Sequence, residues 1–410
     1  MNPAVKRLSV LMAAAFVDMM GSAIVFPLLP FYALRLHAAD WMVGWLIAAF
    51  SIMQLASAPL WGRMSDRYGR RRAILVGLST EAVAFVLFGL ANTLVLLFIS
   101  RLVQGFGGGT TGVLQAYVGD VTAPRDRAKA LGWLSASTGA GVMMGPGIGS
   151  LAVGLGPAAP GLIAAGLCLL NIAFAWRWLP ETAPQRTTAE REALGPRRSI
   201  RTAIWDLIKA PTAEVSRLVW IYALGMLGFM SMNGIFALYL AADFGITEKT
   251  IGIFFVYVGA LSVVMRALIL GKLVDNFGET KVMRIGALLL ALGLATIPLT
   301  QSVVILAVLI ALVPMGTACL FPSVTALITH RTPDVERGQM LGVAQAFGGV
   351  SRVVAPLWST AVFGALGALY GQAGRAVPFW ISSAFVVGVA LLAFNITARP
   401  SPEAAAEGAG

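Results

Sequence analysis

Twelve apolar runs, each long enough to cross a lipid bilayer as a helix, constrain this chain more than any other feature. A bilayer core of about 30 Å takes about 20 apolar residues in helical form. The runs lie near 8–34, 41–61, 73–92, 94–118, 128–152, 157–179, 215–241, 248–271, 281–299, 302–327, 338–365 and 376–397. The first follows Lys6 and Arg7 as the core of a cleaved signal would, but it is too long for one and reads as a span. Asp18 interrupts that run, and Pro27 and Pro30 sit near its end. Linkers such as Ala91-Asn92-Thr93 are so short that neighbouring helices must form antiparallel hairpins. Composition agrees. Charged residues make up 12% of the chain, against about 25% in soluble proteins. The expected class is an all-α membrane protein with lipid as its solvent.

The net charge of +11 fits either a nucleic-acid binder or a basic cytoplasmic face, and the positions of the charges decide. With both termini inside, only Arg35, Lys249 and Arg375 of the 30 Lys and Arg fall outside, and Arg101, Arg266 and Arg352 fall within spans. The other 24 are cytoplasmic. The excess is a topology signal, which argues against nucleic acid as a partner and for a multi-pass protein of the plasma (bacterial inner) membrane.

The longest polar stretch, 180–214, contains Glu190-Arg191-Glu192 and Pro196-Arg197-Arg198 and reads as a cytoplasmic linker. It separates a six-span bundle at 1–179 from another at 215–397, and 398–410 reads as a disordered tail. The halves repeat each other. Gly62, Asp66 and Gly69 recur as Gly271, Asp275 and Gly278; Arg127, Leu131, Gly132, Gly139 and Pro146 recur as Arg337, Leu341, Gly342, Gly349 and Pro356. Duplicated six-span halves mark proteins that bind a substrate at the repeat interface.

After the second span the chain reads Gly62-Arg63-Met64-Ser65-Asp66-Arg67-Tyr68-Gly69-Arg70-Arg71-Arg72. The fourth span carries Arg101-Leu102-Val103-Gln104-Gly105, and the fifth Gly141-Val142-Met143-Met144-Gly145-Pro146-Gly147-Ile148-Gly149. In these motifs, and over nearly its whole length, the chain resembles the major facilitator superfamily. The resemblance implies twelve transmembrane helices in two six-helix bundles related by a pseudo-two-fold. It implies that Gly62, Asp66, Gly69 and Arg70 form a conformational latch with Asp120 and Arg337, and that Gly141, Gly145, Pro146 and Gly149 belong to the motif associated with exporters. Glycines permit close helix approach whatever the function, so packing alone also explains the fifth-span residues.

Asp18-Met19-Met20-Gly21 followed by Pro27-Leu28-Leu29-Pro30 is similar to the first helix of tetracycline–proton antiporters and related twelve-span drug exporters. The second half departs from that group, with no acid in the ninth span and no histidine in the eighth. Glu81 stands about one turn from where the group places an aspartate. The resemblance implies proton-coupled export of small amphipathic drug-like molecules; a facilitator or importer of a nutrient or organic anion is the alternative.

Other chemistries find little support. Gly107-Gly108-Gly109-Thr110-Thr111-Gly112 fits a dinucleotide pattern, but no strand precedes it and it lies within a span. There is no Walker lysine motif, HExxH or GxSxG. Cys168 and Cys319 lie in apolar runs, and His37 and His330 lie far apart. We expect no enzyme, metal or cofactor, and a monomer as the working unit.

Charges inside spans are expensive and need a reason. At about 1.5 Å per residue, Asp18 lies about 15 Å and Glu81 about 12 Å from the cytoplasmic side, and Arg101 about 10 Å from the outer side. An Asp18–Arg101 pair is thus allowed by depth, and Asp18, Glu81 and Arg101 are the candidate proton-coupling residues. Gln104, Gln115, Phe229, Asn233, Phe236 and Arg352 are candidate substrate contacts; Phe229, Asn233 and Phe236 share one helical face.

Overall fold

The computed structural model describes residues 3–123, 126–182, 205, 209, 213–333 and 336–396. Among them every regular element is helical. α1 runs over Pro3–Val25, passes through a 3₁₀ turn at Phe26–Leu28 and continues as Leu29–Arg35. Pro27 causes the tightening, because it removes one backbone donor from the helical ladder. α2 is Asp40–Tyr68, α3 Arg70–Gly89, α5 Arg127–Ala152 and α6 Ala159–Trp178. α4 comprises Leu94–Gly108 and Thr111–Val121, interrupted at Gly109 and Thr110. Thr93 caps α4, its hydroxyl accepting the Leu96 N–H at 3.2 Å, so the hairpin from α3 closes over a few residues.

In the second half, α7 is Glu214–Phe244, α10 Val303–Arg331, α11 Arg337–Tyr370 and α12 Gln372–Phe394. Between α7 and α10, Ile251–Leu299 is helical over 49 residues. A straight helix of that length would measure about 74 Å, more than twice the membrane core. It is broken at Gly278 (φ 75°, ψ 156°), which divides α8 (251–277) from α9 (279–296). Gly69, with φ 104° and ψ 151°, divides α2 from α3 in the same way. The sequence repeat is therefore also a backbone repeat: both glycines hold a conformation that side chains resist. Among the described residues, eleven helical stretches are long and apolar enough to span a membrane, and the break at Gly278 makes twelve crossings of them.

The lipid-facing surface is apolar, with Leu151, Leu155, Val304 and Leu369 largely exposed. Trp41, Trp176 and Trp178 stand exposed near helix ends, where amphipathic rings meet the headgroup layer.

The chain forms two compact units, one of Met1–Gly195 with Gly234–Val263, the other of Pro196–Asn233 with Val264–Gly410. Segment 234–263 belongs to the second half by repeat but packs with the first six helices. In the first unit α1 lies along α5 and α6, α3 between α4 and α6, and α2 along α4. In the second, α9 lies along α10 and α12. There Arg284 donates to the carbonyls of Ala393 (3.0 Å) and Ile396 (2.7 Å), closing the C-terminal end of α12. Most of the expected linker (183–204, 206–208 and 210–212) and the expected tail lie outside the described residues.

Candidate functional site

The face of α1 carrying Ala14, Asp18 and Gly21 is turned into the interior of the first unit, towards α3 and α6. Asn171 of α6 donates from its amide to the Ala14 carbonyl at 2.9 Å. A side chain at Gly21 would touch Phe85 of α3 and Cys168 of α6. Between these contacts sit Asp18 and Glu81, 5% and 2% exposed. Carboxyl oxygens of both and the Cys168 sulfur lie within 4.8 Å of one another. Gly107 of α4 makes room for Glu81: a Cβ there would stand 2.6 Å from Glu81 Cγ.

The two carboxyls face each other within this cluster. An ionised carboxylate only accepts, so a hydrogen bond between the two needs a proton on one of them. With both ionised, Asp18 Oδ1 and Glu81 Oε2 would be buried without any donor. Two negative charges about 4 Å apart at an effective dielectric of about 20 repel by about 4 kcal/mol. The cluster is suited to holding one proton. As a metal site it is incomplete: no histidine or further acid joins the trio among the described residues.

The Asp18–Arg101 pair allowed by depth is not formed. Arg101, 2% exposed, donates to Gln104 Oε1, and its guanidinium carbon lies 4.9 Å from the centroid of the Phe50 ring. Depth along a helix does not determine azimuth, and α1 directs Asp18 at α3. Glu81 of α3 is the actual neighbour.

At the α2–α3 break, Arg70 gathers the motif loop. Its guanidinium meets Asp66 at 2.7 Å, Asp120 at 3.1 Å and the Ser65 hydroxyl at 2.6 Å. Ser65 in turn donates to the Gly62 carbonyl at 2.9 Å. Of the charged latch residues, three of the four thus meet in the first unit. The fourth, Arg337, lies in the second unit and donates to the Thr329 and Thr332 carbonyls at 2.8 and 3.2 Å. Sequence reasoning missed Glu181, which accepts the Arg71 N–H at 3.3 Å and lies against Gly69. Its position immediately after Pro180 made it look like linker.

The fifth-span motif forms the seam with α1. A Cβ at Gly141, Gly145 or Gly149 would lie 2.4–2.7 Å from the carbonyls of Phe16, Met20 and Ile24 respectively. The start of α8 packs near the same motif: the Gly252 N–H donates to Ser150 Oγ at 2.8 Å. Further along, Arg35 forms an ion pair with Glu248, reaching Oε2 at 2.5 Å. Phe255 meets Phe26 (6.4 Å between centroids) and Phe236 (5.7 Å).

The candidate substrate residues are divided between the two units. Gln115 is exposed and Gln104 is engaged with Arg101. Phe236 belongs to the first unit, whereas Phe229 and Asn233 belong to the second. There Phe229 packs on Phe321 at 6.2 Å, and the Asn233 amide is bonded to the Phe229 carbonyl at 3.2 Å. Arg352 lies near Tyr222.

Comparison with known proteins gives concordant results. The sequence model of the Major Facilitator Superfamily matches residues 11–265 and, separately, 218–410. Multidrug resistance protein 1 of Bacillus subtilis (strain 168) is 28% identical over 352 residues, covering 85% of this chain and 88% of its own. The class B tetracycline resistance protein of Escherichia coli is 25% identical over 395 residues, covering 94% of each chain. The crystal structure of the nucleoside transporter NupG aligns with a TM-score of 0.73 over 98% of this chain and 100% of its own, at 14% identity. That last likeness concerns the fold alone.

Proposed function

Because the chain belongs to the Major Facilitator Superfamily, and is a multi-pass membrane transporter of small molecules rather than an enzyme, we propose that it is a drug–proton antiporter. It exports small amphipathic drug-like molecules by alternating access, as a monomer in the plasma (bacterial inner) membrane with both termini cytoplasmic. Its two six-helix bundles, 1–179 and 215–397, act as the moving halves, joined by 180–214.

The buried, closely spaced Asp18–Glu81 pair is the observation that carries this reading. Holding one proton, the pair is compatible with an apolar interior. Losing it leaves two charges whose repulsion of about 4 kcal/mol biases the conformational equilibrium about a thousandfold. A conformation that hydrates the pair is then favoured, and proton movement is tied to the transport cycle. The resistance proteins among its relatives support the substrate class.

Uptake of ethidium and tetracycline into inverted vesicles tests the proposal. Accumulation should follow an imposed pH gradient and collapse with an uncoupler. Uptake indifferent to the gradient would refute proton coupling. Arg101, held within the membrane by a neutral amide and a ring, keeps the facilitator or importer of organic anions as the second reading; movement of anions without drug uptake would favour it.

The loop cluster gives a separate expectation. Arg70→Ala removes the contacts to Asp66, Asp120 and Ser65 at once, whereas Asp66→Asn weakens one, at an exposed carboxylate. Transport should fall about tenfold in Arg70→Ala, equivalent to about 1.4 kcal/mol, and less in Asp66→Asn. Ligand affinity, measured on the same preparations, should change little. A large affinity loss with normal cycling would mean a substrate contact instead.

A further inference from the structure

The acid pair is enclosed within one bundle, and the elements around it differ in what they present. α1 supplies Asp18, α3 Glu81 and α6 the Cys168 thiol as titratable groups. α4 faces Glu81 with Gly107, its Arg101 being engaged with Gln104 and the Phe50 ring. α5 meets α1 through glycines. A proton reaching this pair needs polar steps, and side chains that supply them are scarce.

Asn171 is one. It lies on α6 three residues beyond Cys168, and it is bonded to Ala14, four residues before Asp18 on α1. Spacings of three and four place residues on one helical face. The amide therefore stands one turn, about 5 Å, from the acid pair on the N-terminal side of α1. It is 2% exposed, and its Oδ1 has no hydrogen-bond partner. A buried acceptor left in this state usually has a water or proton donor to meet. The Ala14 carbonyl is also the one that the Asp18 N–H faces in a regular helix, so Asn171 is tied to the backbone turn that orients Asp18.

We propose that Asn171 is the positioning residue of a proton route along the α1–α6 seam, connecting the Asp18–Glu81 pair with the cytoplasmic side through the interior of the bundle. The inference rests on the proton-coupled reading above. In this arrangement Asn171 Oδ1 holds a water that passes the proton, and the route is separate from the substrate path.

The test needs no substrate. In purified full-length protein, the infrared C=O stretch of a protonated carboxyl is followed after a pH jump. Asp18→Asn/Glu81→Gln identifies the band of the pair. Asn171→Leu keeps the side-chain volume and removes both polar atoms; Asn171→Ser keeps a hydroxyl. The rate of proton exchange at the pair should fall at least about tenfold in Asn171→Leu, a modest share of what a positioned proton-transfer group contributes. Its amplitude should be retained, and Asn171→Ser should recover most of the rate. Wild-type exchange in Asn171→Leu would overturn the route, as would equal slowing in both variants. Should Asn171→Leu fail to fold, wild-type exchange in Asn171→Ala, which also lacks the polar atoms, overturns it equally. Absence of any band lost in the double variant would instead refute titration of the pair, and with it the reading on which this inference rests.

Discussion

Asp18→Asn is expected to abolish the proposed uphill drug export in well-folded protein, and Glu81→Gln to do so nearly as completely. Either substitution keeps the shape of the side chain and replaces the shared proton with a fixed amide hydrogen. The pair can then satisfy its buried oxygens permanently, and the electrostatic difference between loaded and unloaded states is lost. Export against a gradient should fall at least about a hundredfold, the low end of what a positioned proton-transfer group supplies. Stability should hold or rise, since an amide hydrogen-bonded to a carboxyl needs no titration to remain buried. The two substitutions are matched because the carboxyls share one buried cluster. A peripheral position for Glu81 would make its effect much smaller. Drug accumulation in inverted vesicles and thermal unfolding of the same variants check both halves of the expectation. Undiminished export by either variant at normal expression removes that residue from the coupling site.

This matching shows where sequence reasoning reached and where it stopped. Spans, hairpins and the duplicated halves were legible because lipid enforces length and apolarity on each helix, and because Gly69 and Gly278 recur at one spacing. Asp18, Glu81 and Arg101 stood out because ionisable groups within spans are costly. Their pairing was not legible. Rise per residue places a side chain in depth, but the rotation of α1 about its axis depends on packing with α3, α5 and α6. That rotation turned Asp18 to Glu81 and left Arg101 to Gln104. Cys168 and Asn171 had no signal at all, since a lone thiol and a lone amide in an apolar run read as packing.

The substrate candidates of α7 rest on helical phase alone. Phe229, Asn233 and Phe236 share a helical face by spacing, yet α7 is divided between two compact units just after Asn233. Helical phase is a property of one element, whereas membership of a site depends on what packs beside it. Glycine motifs are easier to follow, because a close approach of helices can be measured.

Gly145→Leu should disrupt the protein, whereas Gly139→Ala, six residues earlier on the same helix, should leave it intact. At Gly145 even a Cβ would lie 2.5 Å from the Met20 carbonyl oxygen and 2.6 Å from Ala23 Cβ, so α1 and α5 would have to separate. Overpacking of this kind costs about 1–3 kcal/mol for added methylenes, and backbone that cannot yield places Gly145→Leu at or above the upper end. At Gly139 a Cβ meets nothing within 4 Å, and alanine in place of glycine within a helix is favourable by up to about 1 kcal/mol. Thermal unfolding in detergent should therefore move in opposite directions in the two variants. Gly145→Ala, the smallest probe, should lie between them. In all three, transport should follow stability of the α1–α5 seam while substrate affinity in the surviving folded protein stays near wild type, because the glycines act by allowing helices to approach and touch no ligand. Since α1 also carries Asp18, displacement of the seam should weaken proton coupling as well. If Gly145→Leu retains wild-type unfolding temperature and coupling, the two helices are not held together at this position, and the export-associated motif must act in some other way.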